Sequence, residues 1–341
     1  MSIIRFLFLT LAAAMLSVLF SCNQSPTPTD SANVAPNTVA SPATTVVAAN
    51  SKNKININSA ILSELDKLEA KLGIPALSNQ IQAQRPYAST EELVAKKVIN
   101  QAQYDQIKDM VTIEDVVLTG VAKDVDYMTK LGLMKGHLLV AKELLDLQKP
   151  AQAEPHIGHP VEEIYVDVED QLGERNVKEF KSSLIGLQDL VKSKSKSPEI
   201  GTNFAAAVES VDGAIAALPE NERSSPEFVL QVIYGLLDTA NSEYTAAIAN
   251  GKIAAAIEYQ DSRGFVNYAN DLYQGVSSQI AAANPDADKA LSTSMKELAT
   301  TWPAVVPPQT PVKTPDQVTQ LVKNIEQESQ KVVNSNTTAK Q

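Results

Sequence analysis

All three histidines of this 341-residue chain fall within 23 positions, at His137, His156 and His159. Around them stand Gly136-His137 and then Glu154-Pro-His156-Ile-Gly-His159-Pro-Val-Glu162-Glu163. Imidazole together with carboxylate is a ligand set for a first-row transition metal such as iron or zinc. The same pair can act as general acid and base, because imidazole titrates near neutrality. A second acidic group follows at Glu243, Glu258 and Asp261, with Arg263 two residues on. The candidate metal ligands are therefore His137, His156, His159, Glu162, Glu258 and Asp261. Glu243 with Arg263 reads instead as a buried polar network that fixes helix register.

These side chains need helices to place them. On a helix starting near Leu133, His137 shares a face with Met134, Ala141 and Leu144, the apolar stripe, and so points inward. Pro160 suits a first helical position, with Glu162 and Glu163 in the first turn at the positive end of the dipole. An α-helical period puts Glu162 beside the core face of Val161, Ile164, Tyr165, Val168 and Leu172, and turns Glu163 away. On a later helix, Glu258 and Asp261 project within about 40° of the apolar line Ala254, Phe265, Leu272 and Val276. Glu243 sits among Val232, Leu236, Ala240 and Ala247. Burying an unpaired carboxylate costs several kcal/mol, so each needs a cation, a donor or a proton.

The text Gly251-Lys-Ile253, Glu258-Tyr-Gln-Asp261 and Phe265 is similar to helical-bundle domains found beside bacterial iron permeases and in imelysin-like iron-uptake proteins. That resemblance implies a metal site of His and carboxylate on facing helices, which suits Glu258 and Asp261. His159-Pro-Val-Glu162 approximates the imelysin-type His-x-x-Glu signature.

Residues 54–113 carry a different grammar. Ile55-Asn-Ile-Asn-Ser-Ala60 and Leu72-Gly-Ile74 set a helix entering a glycine turn; Pro86-Tyr87, Glu91-Glu-Leu93 and Val98-Ile-Asn100 repeat the pattern. This stretch resembles the tandem helix-hairpin-helix module of ComEA-type competence proteins and of the small extrinsic lumenal protein of photosystem II. The second relative implies a cyanobacterial setting and a scaffold role. The first implies DNA capture through a Gly-apolar-Gly hairpin, whose backbone N–H groups meet phosphate. Gly73 and Ile74 fit that hairpin, but Pro75 has no N–H to donate. Basic residues (Lys54, Lys67, Lys71, Arg85, Lys96, Lys97, Lys108) match acidic ones (Glu64, Asp66, Glu69, Glu91, Glu92, Asp105, Asp109) one for one. A phosphate surface leaves a positive footprint, so nucleic acid is disfavoured here and a protein contact favoured.

The N-terminus supplies an address. Arg5 precedes the apolar run Phe6 to Phe20, and Leu19-Phe20-Ser21-Cys22 resembles the bacterial lipobox. The expectation is a signal peptide over 1–21, lipidation of Cys22, the only cysteine, and a polar tether over 22–53. Such a tether keeps the folded part of the chain within about 30 Å of a membrane. A helical bundle is expected over 116–302, then a Pro-rich segment, a polar helix and a disordered tail over 303–341. Net charge is −11, which repels nucleic acid and anionic lipid. No phosphate loop, dinucleotide fingerprint, Gly-x-Ser-x-Gly or His-Glu-x-x-His appears. The sequence thus reads as an all-α, non-catalytic envelope lipoprotein, a tandem helix-hairpin-helix module followed by a larger bundle, binding a metal ion or a protein partner near the membrane.

Overall fold

The computed structural model describes residues 54–115 and 118–339. The expected signal peptide, the expected lipidation at Cys22 and the expected tether lie outside the described residues. The described chain is all-α apart from two two-residue ladders.

The first part is closed by a clasp. Strand β1 (Ile55–Asn56) pairs in parallel with β2 (Val111–Thr112), so the two ends of the module meet. Between them run α1 (Leu62–Leu72), α2 (Leu77–Ala83), α3 (Glu92–Ala95) and α4 (Gln101–Ile107) around a core of Ile57, Leu65, Leu68, Leu77, Ile81, Leu93 and Ile107. Gly73 ends α1 at φ +64°, a conformation that costs glycine nothing. A capping box starts α4: Gln103 N donates to Asn100 Oδ1 and Asn100 N to Gln103 Oε1, both at 2.9 Å.

The second part starts with α5 (Val121–Asp146) and α6 (Pro150–His159). Where a new helix is expected at Pro160, the chain makes a π-turn (Pro160–Ile164) and continues straight into α7 (Tyr165–Glu174). Proline lacks the N–H for the i→i−4 ladder, and the wider turn is closed by Tyr165 N donating to Pro160 O. Then come α8 (Lys181–Ser193), α9 (Glu199–Ala216), the short α10 (Glu220–Arg223), α11 (Pro226–Ala247), α12 (Ala256–Ala283), α13 (Pro285–Ala299) and α14 (Pro315–Ala339). Helices α11 and α12 are joined by a hairpin, β3 (Ile248–Ala249) with β4 (Lys252–Ile253), whose Asn250 and Gly251 both have positive φ as a tight primed turn requires.

The boundary expected at 302 falls inside this body. The Pro-rich stretch is a strap laid along α12: Tyr259 OH donates to Ala304 O at 3.0 Å, Gln260 Nε2 to Val305 O at 3.1 Å, and Trp302 Nε1 to Ser262 Oγ at 2.7 Å. Trp302 and Val305 are buried. Helix α14 then packs on α11 and α13 and buries Val318, Val322, Ile325 and Val332, which completes a four-helix bundle. The polar composition of this end hides that stripe, since one apolar residue per turn is enough to seal a peripheral helix.

Helices α5 and α12 cross closely enough for backbone to touch backbone. A Cβ on Gly136 would lie 2.6 Å from the Phe265 ring and 2.9 Å from Gly264 C; one on Gly264 would lie 2.8 Å from Gly136 C and 2.9 Å from Val140 Cγ2. Only glycine at both positions permits the crossing, and the neighbouring residues His137 and Asp261 are carried into contact by it. Gly264→Ala should therefore lower the melting temperature by several degrees, since overpacking a crossing costs about 1–3 kcal/mol. Gly275→Ala on the same helix meets nothing within 4 Å and should leave stability unchanged or raised. Equal melting curves for the two variants would contradict the crossing.

Candidate metal centre

Three helical segments meet at one carboxylate. His137 comes from α5, His156 and His159 from the last turn of α6, and Asp261 from the second turn of α12. Asp261 Oδ1 lies 2.7 Å from His137 Nδ1 and 2.7 Å from His156 Nδ1, while Oδ2 lies 3.5 Å from His159 Nδ1. His137, His156 and Asp261 are fully enclosed; His159 keeps 26 % of its side chain exposed and forms the mouth of the site. Edge-on contact with Phe265, 5.0 Å between centroids, backs His137 from the apolar side.

One residue decides the tautomer of His156. Gln260 Nε2 donates to the backbone carbonyl of Val305, so its Oε1 must be the atom 2.9 Å from His156 Nε2. A carbonyl oxygen only accepts, so His156 Nε2 carries a proton. In the neutral ring Nδ1 is then a bare lone pair, aimed at a carboxylate oxygen 2.7 Å away. Two lone pairs at that distance repel unless a cation lies between them or the ring takes a second proton. His137 Nδ1 is equally close to the same oxygen, yet its geometry forms no hydrogen bond and the atom is buried without a partner among the described residues. His137, His156 and Asp261 bring one ligand atom each within 4.8 Å of one another, an arrangement that could hold a metal ion. Around an ion bound at about 2.0–2.1 Å, adjacent donors sit roughly 3–3.4 Å apart, so the site would open by about half an ångström on binding.

Burial and the neighbouring imidazoles act on these groups in opposite directions. Burial, the largest influence, disfavours charge on Asp261, but His137 and His156 overcome it and hold the carboxyl well below its ordinary range. Burial, the largest influence, pushes His137 below its usual value against the pull of Asp261. Burial also opposes charge on His159, yet Asp261, Glu163 and Glu162 outweigh it and lift the ring to about 9.

Of the expected residues, His137, His156, His159 and Asp261 are brought together, and Glu162 is not. Glu162 is exposed, and the half-buried carboxylate at this turn is Glu163, pushed up to about 7 chiefly by burial. The π-turn is the reason: each residue advances less around the axis than in an α-helix, which exchanges the faces of the two neighbours. Glu258 is half-buried near the site, with its pKa raised chiefly by burial. The expected Glu243 and Arg263 network does not form. Arg263 makes a fork to Glu143 at 3.0–3.2 Å and donates to Trp302 O at 2.8 Å. Glu243 is buried, and burial is the largest cause that raises its pKa well above the ordinary carboxyl value. Gln260 went unnoticed in the sequence, although it adjoins Asp261, because its role depends on a carbonyl 45 residues away.

The first hairpin is occupied from within. Glu69 Oε1 accepts from Ala76 N at 3.0 Å and Oε2 from Ser78 N at 3.3 Å, so a carboxylate already caps the N-terminal amides of α2 that follow Gly73 and Ile74.

The class this defines is an all-α protein with a buried imidazole and carboxylate centre between helices. Residues 219–336 match the iron permease-associated 4-helix bundle domain, and residues 50–112 match the helix-hairpin-helix motif. Neither a curated protein nor a solved structure matches the chain. The first match spans α11 to α14, so Asp261 belongs to the matched bundle, while all three histidines come from helices that precede it.

Protonation couples the site to stability in a defined direction. Glu163 and Asp66, both raised to about 7 with burial the largest cause, keep protons that the unfolded chain releases above about pH 4. His159 keeps one that the unfolded chain releases above about pH 6.5. Wherever the folded state binds more protons, stability falls as pH rises. The melting temperature of metal-free protein should thus decline by several degrees between pH 5 and pH 9, with the His159 contribution fully lost above about 9. Glu163→Gln should flatten the acidic half of that decline; a profile flat in the wild type would contradict the assignment.

Proposed function

We propose that this protein is a non-catalytic metal-binding lipoprotein of the cell envelope, which holds one transition-metal ion between α5, α6 and α12. The observation that carries the reading is the buried convergence of His137, His156 and Asp261, whose ligand atoms lie within 4.8 Å of one another, with Gln260 holding His156 Nε2 from behind. Metal-bound histidines commonly donate their other N–H to an oxygen in this way, and such partners matter 10–100-fold for affinity. His137, His156, His159 and Asp261 would hold the ion. Three imidazoles and a carboxylate suit iron or zinc, and the match to an iron permease-associated domain supports iron. Entry would be past His159, the exposed ligand, beside Glu162 and Glu163.

The three convergent donors are His137, His156 and Asp261, with His159 at the mouth of the site, an arrangement that leaves coordination positions open. A lipid on Cys22 and the tether after it would keep the metal centre close to one membrane. The second part of this reading is that the helix-hairpin-helix module contacts protein. Its match to that motif favours nucleic acid, but Glu69 stands where a phosphate would, and charge over the module balances to zero.

Metal analysis of the purified full-length chain should find about one iron or zinc per molecule. His156→Ala combined with Asp261→Asn should abolish it, and Gln260→Leu should weaken it by roughly 10–100-fold. A chain that stays metal-free, with a melting temperature unmoved by iron, zinc or copper, would sink the proposal. In a gel shift at low salt, duplex DNA should migrate unretarded; retardation would restore the DNA-capture reading.

A further inference from the structure

The strap between α13 and α14 grips α12 on both sides of Asp261. Prolines stand at 303, 307, 308 and 311 and have no N–H, and among the described residues no backbone-to-backbone hydrogen bond is made by residues 303–313. Side chains hold its carbonyls instead. Arg263 Nη1 donates to Trp302 O at 2.8 Å, Tyr259 OH to Ala304 O at 3.0 Å and Gln260 Nε2 to Val305 O at 3.1 Å, while Tyr244 OH, from α11, donates to Lys313 O at 2.7 Å. Trp302 Nε1 returns a bond to Ser262 Oγ at 2.7 Å. Within residues 259–263, Asp261 alone turns to the histidines, and its neighbours on either side hold the strap. Of residues 302–313 only Trp302 and Val305 are buried, so the strap can lift without breaking a helix or a sheet.

Gln260 makes the strap matter to the ligands. With the strap docked, Val305 O fixes the amide so that Oε1 faces His156 Nε2, and the Nδ1 that faces Asp261 is left to ligate. With the strap lifted, Val305 O no longer holds the amide, which can turn over and offer its N–H to His156 Nε2. The neutral ring then carries its proton on Nδ1 and donates it to Asp261 Oδ1 across the same 2.7 Å. That hydrogen bond occupies both the nitrogen and the carboxylate oxygen that an ion needs. Turning the amide over exchanges groups of nearly equal size, so the packing around it is unchanged.

On the metal reading of this centre, on which the coupling rests, we propose that strap docking and metal occupancy are linked through Gln260. The docked strap keeps His156 in its ligating tautomer, a bound ion fastens the strap, and release of the strap shuts the site. Linkage requires each event to strengthen the other by the same factor. Gln260, Ser262 and Trp302 are positioning residues in this scheme, because they act on the ion only through His156.

Trp302 is the single tryptophan of the chain, so its fluorescence reports the strap in unlabelled full-length protein. Zinc, which has no redox chemistry, is the probe. Saturating zinc should lower acrylamide quenching of Trp302 by roughly twofold or more in the wild type, and should leave it unchanged in Gln260→Leu once that variant is also saturated. Val305→Asp, which puts a charge at a buried strap position, should weaken zinc binding by roughly 10–100-fold, as Gln260→Leu does, and the double variant should bind no more weakly than either alone. Additive losses in the double variant would overturn the coupling. So would Trp302 quenching that zinc leaves unaltered in the wild type, a measurement that stands even where Val305→Asp fails to fold. Zinc that never binds the wild type overturns the metal reading and the coupling together, whereas zinc that binds while Trp302 stays indifferent overturns the coupling alone.

Discussion

Helices α5 and α12 lie in backbone contact where Gly136 meets Gly264, and every distance in the histidine centre follows from that contact. His137 comes one residue after the first glycine, and Asp261 one turn before the second. A methyl group at either glycine would push the axes apart by more than the slack in a 2.7 Å contact. Packed interiors do not absorb such a displacement by yielding locally, because they are as dense as organic crystals. The other side chains of the centre are held from the outside: α6 supplies two histidines, and the strap after Trp302 supplies the carbonyl that orients Gln260.

The buried acids divide into two kinds by what surrounds them. Asp261 has imidazoles on three sides and stays ionised. Glu243, five residues before the hairpin, has other carboxyls as its strongest electrostatic neighbours, and burial drives it toward its protonated form. The same low-dielectric setting thus depresses one pKa and raises the other, according to the sign of the neighbours.

The centre is also a seam between segments of different origin in the chain. The matched four-helix bundle contributes Asp261 and Gln260, and the helices before it contribute the histidines. The convergence of imidazole and carboxyl groups is therefore a property of their assembly, and the module that matches the helix-hairpin-helix motif is joined to the bundle through α1 and through the pairing of Lys67 with Asp238.

Much of this was legible in residues alone. The all-α class follows from apolar spacing at three and four, because a helix must present one stripe to its neighbours. The clustering of three histidines and the inward aim of His137 and Asp261 follow from the same period. Tertiary structure decided the rest. Pro160 turned the chain through a π-turn and brought Glu163 inward in place of Glu162, a phase change that the 100° wheel does not contain. Arg263 went to Glu143 rather than to Glu243, a choice between partners 120 and 20 residues away that local spacing does not express. The polar end of the chain became a strap and a fourth helix, since its stripe has meaning only against α11 and α13. Residue types state which chemistry is affordable; which atoms share it depends on helix crossings, and those are set by contacts between residues far apart in the chain.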